Sequence, residues 1–236
     1  MNLISIILAF HLTLSKSFAP LSTPQSNPRF ATKLHSLKPA AEPLMASGKA
    51  LARSGELLID ATSTSKLDSY GGGLSSAGAN IRNAGDCVAQ AAASCRFKTA
   101  SELVCDEMRE AATCLLEGVE QLKKATDDAE VDGDADLKKQ IQYIIPFVQS
   151  SAVSLEAAGA GILKRLTVGE IGDSMVECGV SLEQLALGIQ KISPELEETK
   201  TSGGRMLYAA EQMRLAGNNL KGIMPEKKKG KAWLKG

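Results

Sequence analysis

The stretch LSSAGANIRNAGDCVAQAAASC, residues 74–95, decides the fold class. Its larger apolar residues recur every seven positions, at Leu74, Ile81, Val88 and Cys95. This spacing indicates a helix that packs along one seam. The intervals hold pairs of small residues such as Ala84-Gly85. Because glycine inside a helix costs roughly 1 kcal/mol relative to alanine, we expect a close approach of two helix backbones to offset that cost.

The same three-and-four spacing continues on both sides and defines six helical segments, at residues 44–62, 74–95, 108–122, 141–166, 171–192 and 196–224. Only 4% of the residues are aromatic, which disfavours a β-sandwich. The sequence therefore predicts an all-α protein with Ala/Gly-rich seams. Two long central helices, each broken near its middle, form an antiparallel hairpin that turns at Gly133. The first and last helices flank its open end and make it resemble a four-helix bundle.

Local signals predict where helices begin and end. Tyr70–Gly73 interrupts the pattern with three glycines. The spacing from Thr99 to Glu102 and from Thr167 to Glu170 matches a capping box, which starts a helix. Ser193-Pro194-Glu195 reads as an N-cap followed by proline at the first helical position. Since the apolar register continues through Pro194, a single kinked helix is the alternative.

The N-terminus has the composition of a targeting presequence. An apolar run from Leu3 to Leu14 has the length of the hydrophobic region of a secretory signal, and small residues such as Ser17 follow it. The chain then becomes rich in Ser and Thr, and no acidic residue precedes Glu42. This composition is typical of a transit peptide. We predict a signal peptide over residues 1–17 and a transit peptide over residues 18–38.

The junction Ser17-Phe18-Ala19-Pro20 resembles the ASAFAP-type junction of plastid preproteins in algae with secondary red-lineage plastids, such as diatoms. Lys16 departs from that pattern, which usually has a small residue there. The resemblance covers the presequence alone and implies cleavage between Ser17 and Phe18, followed by import into the plastid. Because a second hydrophobic run is missing, the expected location is the stroma or the stromal face of the thylakoid. A secreted protein with a disordered N-terminus is the alternative.

Charge is distributed unevenly along the chain. Residues 39–226 carry 18 basic and 27 acidic side chains, although the whole chain has a net charge of zero. We predict a helical bundle domain over residues 39–225 and a basic disordered tail over residues 226–236. An acidic body repels nucleic acid, so we expect no nucleic-acid partner.

The tail combines a basic run with the only tryptophan. Its notable residues are Lys227, Lys228, Lys229, Lys231, Trp233 and Lys235. Lysines attract an anionic lipid surface and tryptophan suits a membrane interface. The tail is therefore interpreted as a tether to a membrane surface or to a protein partner, with a solubilising tail as the alternative.

Histidine is missing from the predicted bundle. The chain has two histidines, His11 and His35, and both lie in the presequence. Triads that depend on His, and di-iron sites of the Glu-x-x-His type, are therefore excluded from the processed protein. We expect no catalytic residue, no cofactor and no metal ion.

Two groups of polar residues have alternative interpretations. The five cysteines (Cys87, Cys95, Cys105, Cys114 and Cys178) show no CxxC spacing, which favours small buried residues. A regulatory disulfide from Cys178 is the alternative. The segment Asp128–Asp136 partly matches an EF-hand loop, but Lys139 stands where a bidentate glutamate is needed. A solvated acidic turn is the preferred interpretation.

These observations favour a non-enzymatic plastid scaffold or accessory subunit that binds a protein complex or a membrane surface. Two further hypotheses are a carrier of lipid or pigment and a helical hairpin that remodels membranes. The sequence leaves the oligomeric state undetermined.

Overall fold

A computed structural model describes residues 37–63, 67, 72–97, 101–164 and 166–223 of the chain. Within these ranges the chain forms α-helices and no β-strand. The helices are α1 (Lys38–Ser63), α2 (Gly73–Ser94), α3 (Ser101–Val131), α4 (Ala135–Leu163), α5 (Val168–Ile192) and α6 (Glu197–Leu220). The prediction of an all-α bundle is confirmed.

The six helices form a closed ring. Each helix packs against the one before it and the one after it, and α6 packs against α1. Among the described residues, no other pair of helices makes extensive contact. Large side chains from the helices fill the core and are fully buried, among them Leu44, Leu74, Met108, Leu115, Leu155 and Leu182. None of the described helices has the length and apolar character that crossing a bilayer requires.

The predicted hairpin is present, but the predicted breaks in its arms are full reversals. α3 and α4 are joined at Gly133, which has a positive φ of 76° that glycine adopts without strain. The start of α2 packs against the end of α3, since a Cβ atom on Gly73 would lie 2.9 Å from the amide nitrogen of Ala125. The prediction that the second and third segments form one interrupted helix is therefore wrong. α2 has apolar residues to bury against both α1 and α3, and an end-to-end arrangement would leave one of these faces uncovered.

Glycines bring α1 and α2 into backbone contact. Gly48 lies opposite Gly85, and Gly55 lies opposite Gly78 one heptad further along. A Cβ atom on Gly85 would lie 2.3 Å from the amide nitrogen of Ala52, a distance that real Cβ atoms do not adopt. α5 and α6 repeat this arrangement. The predicted close approach of helix backbones is thus confirmed, and it requires glycine at these positions.

Buried serines connect α1 to α6 and close the ring. The hydroxyl oxygens of Ser54 and Ser202 lie 3.0 Å apart, and the Ser202 hydroxyl donates to the backbone oxygen of Ser54 at 2.9 Å. The Ser47 hydroxyl donates to the backbone oxygen of Ala209 at 2.8 Å. All three serines are fully buried. Since buried hydroxyls need partners, these bonds fix the register of the first helix against the last.

One predicted helix start is confirmed and another is wrong. Thr167 and Glu170 form a capping box, in which the Glu170 carboxylate accepts from the Thr167 amide at 2.9 Å. These bonds to Thr167 hold the pKa of Glu170 below its usual range. Thr99 of the other predicted box lies outside the described residues. Ser193 is the C-cap of α5, and α6 follows after a turn. Pro194 therefore separates two helices, and neither the predicted N-cap nor the single kinked helix is present.

Candidate functional site

The outward face of α4 is almost uncharged. Between Lys139 and Lys164 the only charged residue is Glu156. The exposed positions of this stretch include Gln142, Tyr143, Pro146, Gln149, Ser150, Val153, Ala157 and Leu163. The outward positions of α3, by contrast, are charged in most turns, with Asp106, Glu110, Glu117, Glu120 and Lys123 among them. Surface helices normally have charged outer faces, so this face of α4 departs from the common pattern.

The neighbouring helix α5 extends this uncharged face. The hydroxyl oxygens of Ser150 and Ser181 lie 2.8 Å apart across the seam between α4 and α5. Val153 lies about one turn from Ser150, and Val180 directly precedes Ser181. Val153 is 63% exposed and Val180 is 48% exposed. Exposed apolar residues that lie close together indicate an interaction site more strongly than scattered ones.

Aromatic residues lie at the other end of the same seam. Tyr143 and Phe147 pack edge to face with ring centroids 5.2 Å apart, and the Lys191 ammonium lies 5.4 Å from the centroid of the Tyr143 ring. Exposed Leu187 on α5 directly precedes Gly188, which lies against Tyr143. We call these residues the outer α4–α5 surface: Tyr143, Phe147, Val153, Val180 and Leu187.

The acidic turn between α3 and α4 has a local structural role. The Asp134 carboxylate accepts a hydrogen bond from the amide of Leu137 at 2.9 Å and caps α4. Lys138 forms an ion pair with Glu130 at 2.8 Å. A carboxylate at a helix N-terminus is favoured by the helix dipole. These contacts agree with a solvated turn that starts a helix.

Thiols and carboxylates converge on the seam between α2 and α3. Sγ of Cys87 and carboxylate oxygens of Glu107 and Glu110 all lie within 4.8 Å of one another. The thiol of Cys114 lies near enough to that of Cys87 to affect its pKa. We call these four residues the thiol-carboxylate cluster. Among the described residues, potential metal-binding atoms converge in this way only here.

The surroundings of the cluster disfavour negative charge on Cys87 and Glu107. Burial and, to a smaller extent, the charges of Cys114, Glu110 and Glu107 together raise the pKa of Cys87 to about 12. Burial, followed by the charge of Glu110, also raises the pKa of Glu107. Neither glutamate forms an ion pair with a residue that the structure describes. Several acidic groups therefore share a site that has no compensating cation.

Cys178, the cysteine of the alternative disulfide hypothesis, lies in a different environment. Cys178 is fully buried in α5, and burial raises the pKa of its thiol to about 12. Burial has the same effect on Cys95. All five cysteines are free thiols. The thiol whose pKa is affected by another thiol is Cys87, which the sequence did not single out.

We expect the free energy of unfolding to fall as the pH rises above the ordinary thiol pKa of about 8.5. The unfolded chain then releases protons that buried Cys178 keeps up to its folded pKa of about 12. This effect amounts to at most about 1.4 kcal/mol per pH unit for each thiol, and it is absent below about pH 8. Urea unfolding of the wild type and of Cys178→Ala measures it. The variant should show a shallower slope above about pH 9, and equal slopes would contradict the expectation.

The other predicted site residues lie outside the described residues. These are the cleavage-site residues Ser17 and Phe18 and the tail residues Lys227, Lys228, Lys229, Lys231, Trp233 and Lys235.

Part of the outer α4–α5 surface and part of the thiol-carboxylate cluster could be predicted from the sequence. Glu107, Glu110 and Cys114 are spaced by three and four and therefore share one face of α3. The near absence of charge between Lys139 and Lys164 was also readable. Cys87, however, joins the cluster only through the packing of α2 on α3.

No known protein family, no curated protein and no solved structure matches this chain.

Proposed function

We propose that this chain is a non-enzymatic scaffold or accessory subunit of the plastid, located in the stroma or on the stromal face of the thylakoid. It binds a protein partner through the outer α4–α5 surface. The observation that carries this proposal is the outward face of α4, where Glu156 is the only charged residue between Lys139 and Lys164 and where Tyr143 and Val153 are exposed. The cores of protein interfaces are depleted of charged residues and enriched in tyrosine and other aromatic residues.

The composition of this surface favours a protein over a membrane. Helices that lie on a membrane combine large apolar residues with lysine and arginine on their polar face. The exposed positions of α4 instead have glutamine, serine, alanine and valine, with no basic residue between Lys139 and Lys164. Tyr143 contributes a large amphipathic ring, and its contact with Phe147 restricts its motion. These features suit a partner helix that packs closely against α4 and α5.

The tail supplies the second part of the proposal. Residues 226–236 tether the bundle to an anionic membrane surface. Each of the five lysines contributes about 1 kcal/mol of attraction near such a surface, and Trp233 adds an interfacial anchor. The protein thus holds its partner beside a membrane without entering it.

Photo-crosslinking in cells that make the protein tests the partner surface. A photoreactive amino acid replaces Leu187, and the matched control carries it in place of Leu116, an exposed leucine on α3. We expect a discrete protein adduct from position 187 and none from position 116. Val153→Glu places a charge on the same surface and should reduce the adduct by about tenfold, because burying an unpaired charge is costly.

An adduct that is equally strong at position 116, or that persists with Val153→Glu, would overturn the proposal of a protein partner on this surface. Adducts to lipid alone would also overturn it. Lipid or pigment recovered in equal amount with the purified protein would support the carrier hypothesis instead.

Vesicle flotation tests the tether. The full chain should float with anionic vesicles and remain unbound to neutral ones, and deletion of residues 226–236 should weaken binding by at least about tenfold because the lysines are removed. Increasing the salt concentration should have the same effect. Unchanged binding after the deletion would reject the tether.

A further inference from the structure

We infer that the thiol-carboxylate cluster is a binding site for a zinc-like divalent cation, held by Cys87 of α2 and by Glu107, Glu110 and Cys114 of α3.

The ligands are of the types and number that zinc requires. Zinc in proteins is usually bound by four ligands in a tetrahedron, and thiolate sulfur, imidazole nitrogen and carboxylate oxygen all serve. Two thiols and two carboxylates complete such a set without histidine. A mixture of thiolate and carboxylate is too soft for magnesium or calcium, which select oxygen ligands.

The geometry needs little adjustment. The ligand atoms of Cys87, Glu107 and Glu110 lie within 4.8 Å of one another, whereas atoms around a tetrahedral zinc ion lie roughly 3.5 Å apart. Glutamate side chains have three rotatable bonds, so rotation of Glu107 and Glu110 covers the difference without moving the helices. Sγ of Cys114 is not among these three atoms, but the thiol is near enough to raise the pKa of Cys87. Rotation of the Cys114 side chain is needed for it to supply the fourth ligand.

A second layer of contacts supports the site. With its amide nitrogen oriented toward α3, Gln90 donates to both carboxylate oxygens of Glu107, at 3.1 and 3.2 Å. Gln90 lies one turn after Cys87 on α2. Metal-binding side chains are commonly oriented by such hydrogen bonds. Arg109 forms no ion pair with either glutamate of the cluster, and its charge instead partly offsets the rise that burial causes in the pKa of Cys105.

A cation would reverse the electrostatic penalty at the cluster. The same carboxylates that disfavour a thiolate at Cys87 stabilise a positive ion. When zinc binds, Cys87 and Cys114 each form a sulfur–zinc bond and release one proton to solvent, while Glu107 and Glu110 bind as carboxylates. Two protons are therefore released for each zinc ion bound.

Calorimetric titration of the reduced, metal-free full chain with zinc chloride tests the site, and cobalt(II) reports on its ligands. We expect one zinc ion per chain and, with cobalt, a thiolate-to-metal charge-transfer band together with the visible bands of a tetrahedral ion. Cys87→Ser should remove about half of the charge-transfer band, because Cys114 is the second thiolate ligand. Glu110→Gln changes an exposed side chain, so it should fold normally and weaken binding by at least about tenfold.

Two matched controls should bind zinc like the wild type. Glu117→Gln alters another exposed carboxylate on α3, and Cys178→Ala removes a buried thiol on α5. The inference is overturned if the wild type binds no zinc, or if Glu110→Gln and Glu117→Gln bind it equally well. It is also overturned if mild oxidation joins Cys87 to Cys114 while the reduced protein shows no cobalt–thiolate band.

Discussion

Gly85→Ala is expected to lower the free energy of unfolding by about 3 kcal/mol. The added methyl group would lie 2.3 Å from the amide nitrogen of Ala52 and 2.6 Å from the backbone oxygen of Gly48. Backbone atoms of a packed helix cannot move aside as the end of a flexible side chain can. α1 and α2 must therefore separate along the whole seam, which also loosens the contact between Gly55 and Gly78. Urea unfolding followed by circular dichroism measures the change.

Gly204→Ala is the matched control, and it is expected to raise the free energy of unfolding. Gly204 lies in α6, is exposed, and has no atom within 4 Å of the added methyl group. Alanine favours a helix over glycine by about 1 kcal/mol, so this variant should be more stable than the wild type. If both substitutions shift stability in the same direction, the seam does not depend on backbone contact.

Ser202→Val is expected to lower the free energy of unfolding by about 3 kcal/mol. A methyl group would replace a hydroxyl that lies 2.9 Å from the backbone oxygen of Ser54 and 3.0 Å from its hydroxyl oxygen. Both distances are too short for carbon against oxygen. The Ser54 hydroxyl would also lose its partner inside a dry core, which carries the full cost of an unsatisfied group. Thermal or urea unfolding measures the loss.

Ser150→Val is the matched control for this prediction. Ser150 also pairs with a serine across a seam, but it is exposed on α4. Water can replace its hydrogen bond, so the change should stay within about 0.5 kcal/mol. Comparable losses at both positions would show that burial of the Ser54–Ser202 pair has no special importance.

Short sequence patterns predicted the seam of α2, the turn between α3 and α4, and the start of α5. The heptads of Leu74 and Ile81 mark a helix with one buried seam, Gly133 turns the hairpin, and the spacing of Thr167 and Glu170 begins α5. Each of these features depends on residues within one or two turns of each other. The reversals between α2 and α3 and between α4 and α5 depend on which helices share apolar faces, and a heptad pattern is the same in either arrangement.

The thiol-carboxylate cluster could be predicted from the sequence only in part. Glu107, Glu110 and Cys114 could be placed on one helix face from their spacing alone. The contribution of Cys87 depends on the register of α2 against α3, which is fixed by contacts such as that of Gly73 with Ala125. A shift by one heptad would move Cys87 about 10 Å along the seam. Only the packed structure therefore brings the sulfur to the carboxylates.

The contact of the first helix with the last makes the domain nearly cyclic. The side-chain amide of Asn219 donates to the backbone oxygen of Pro39 at 3.0 Å, so the chain enters and leaves the bundle at neighbouring points. A short linker can therefore join Ile223 to Leu37, and new termini can be opened at Gly133 without removing a helix-to-helix contact. In such a permuted chain α4 becomes the first helix and α3 the last, while each helix keeps the same neighbours in three dimensions.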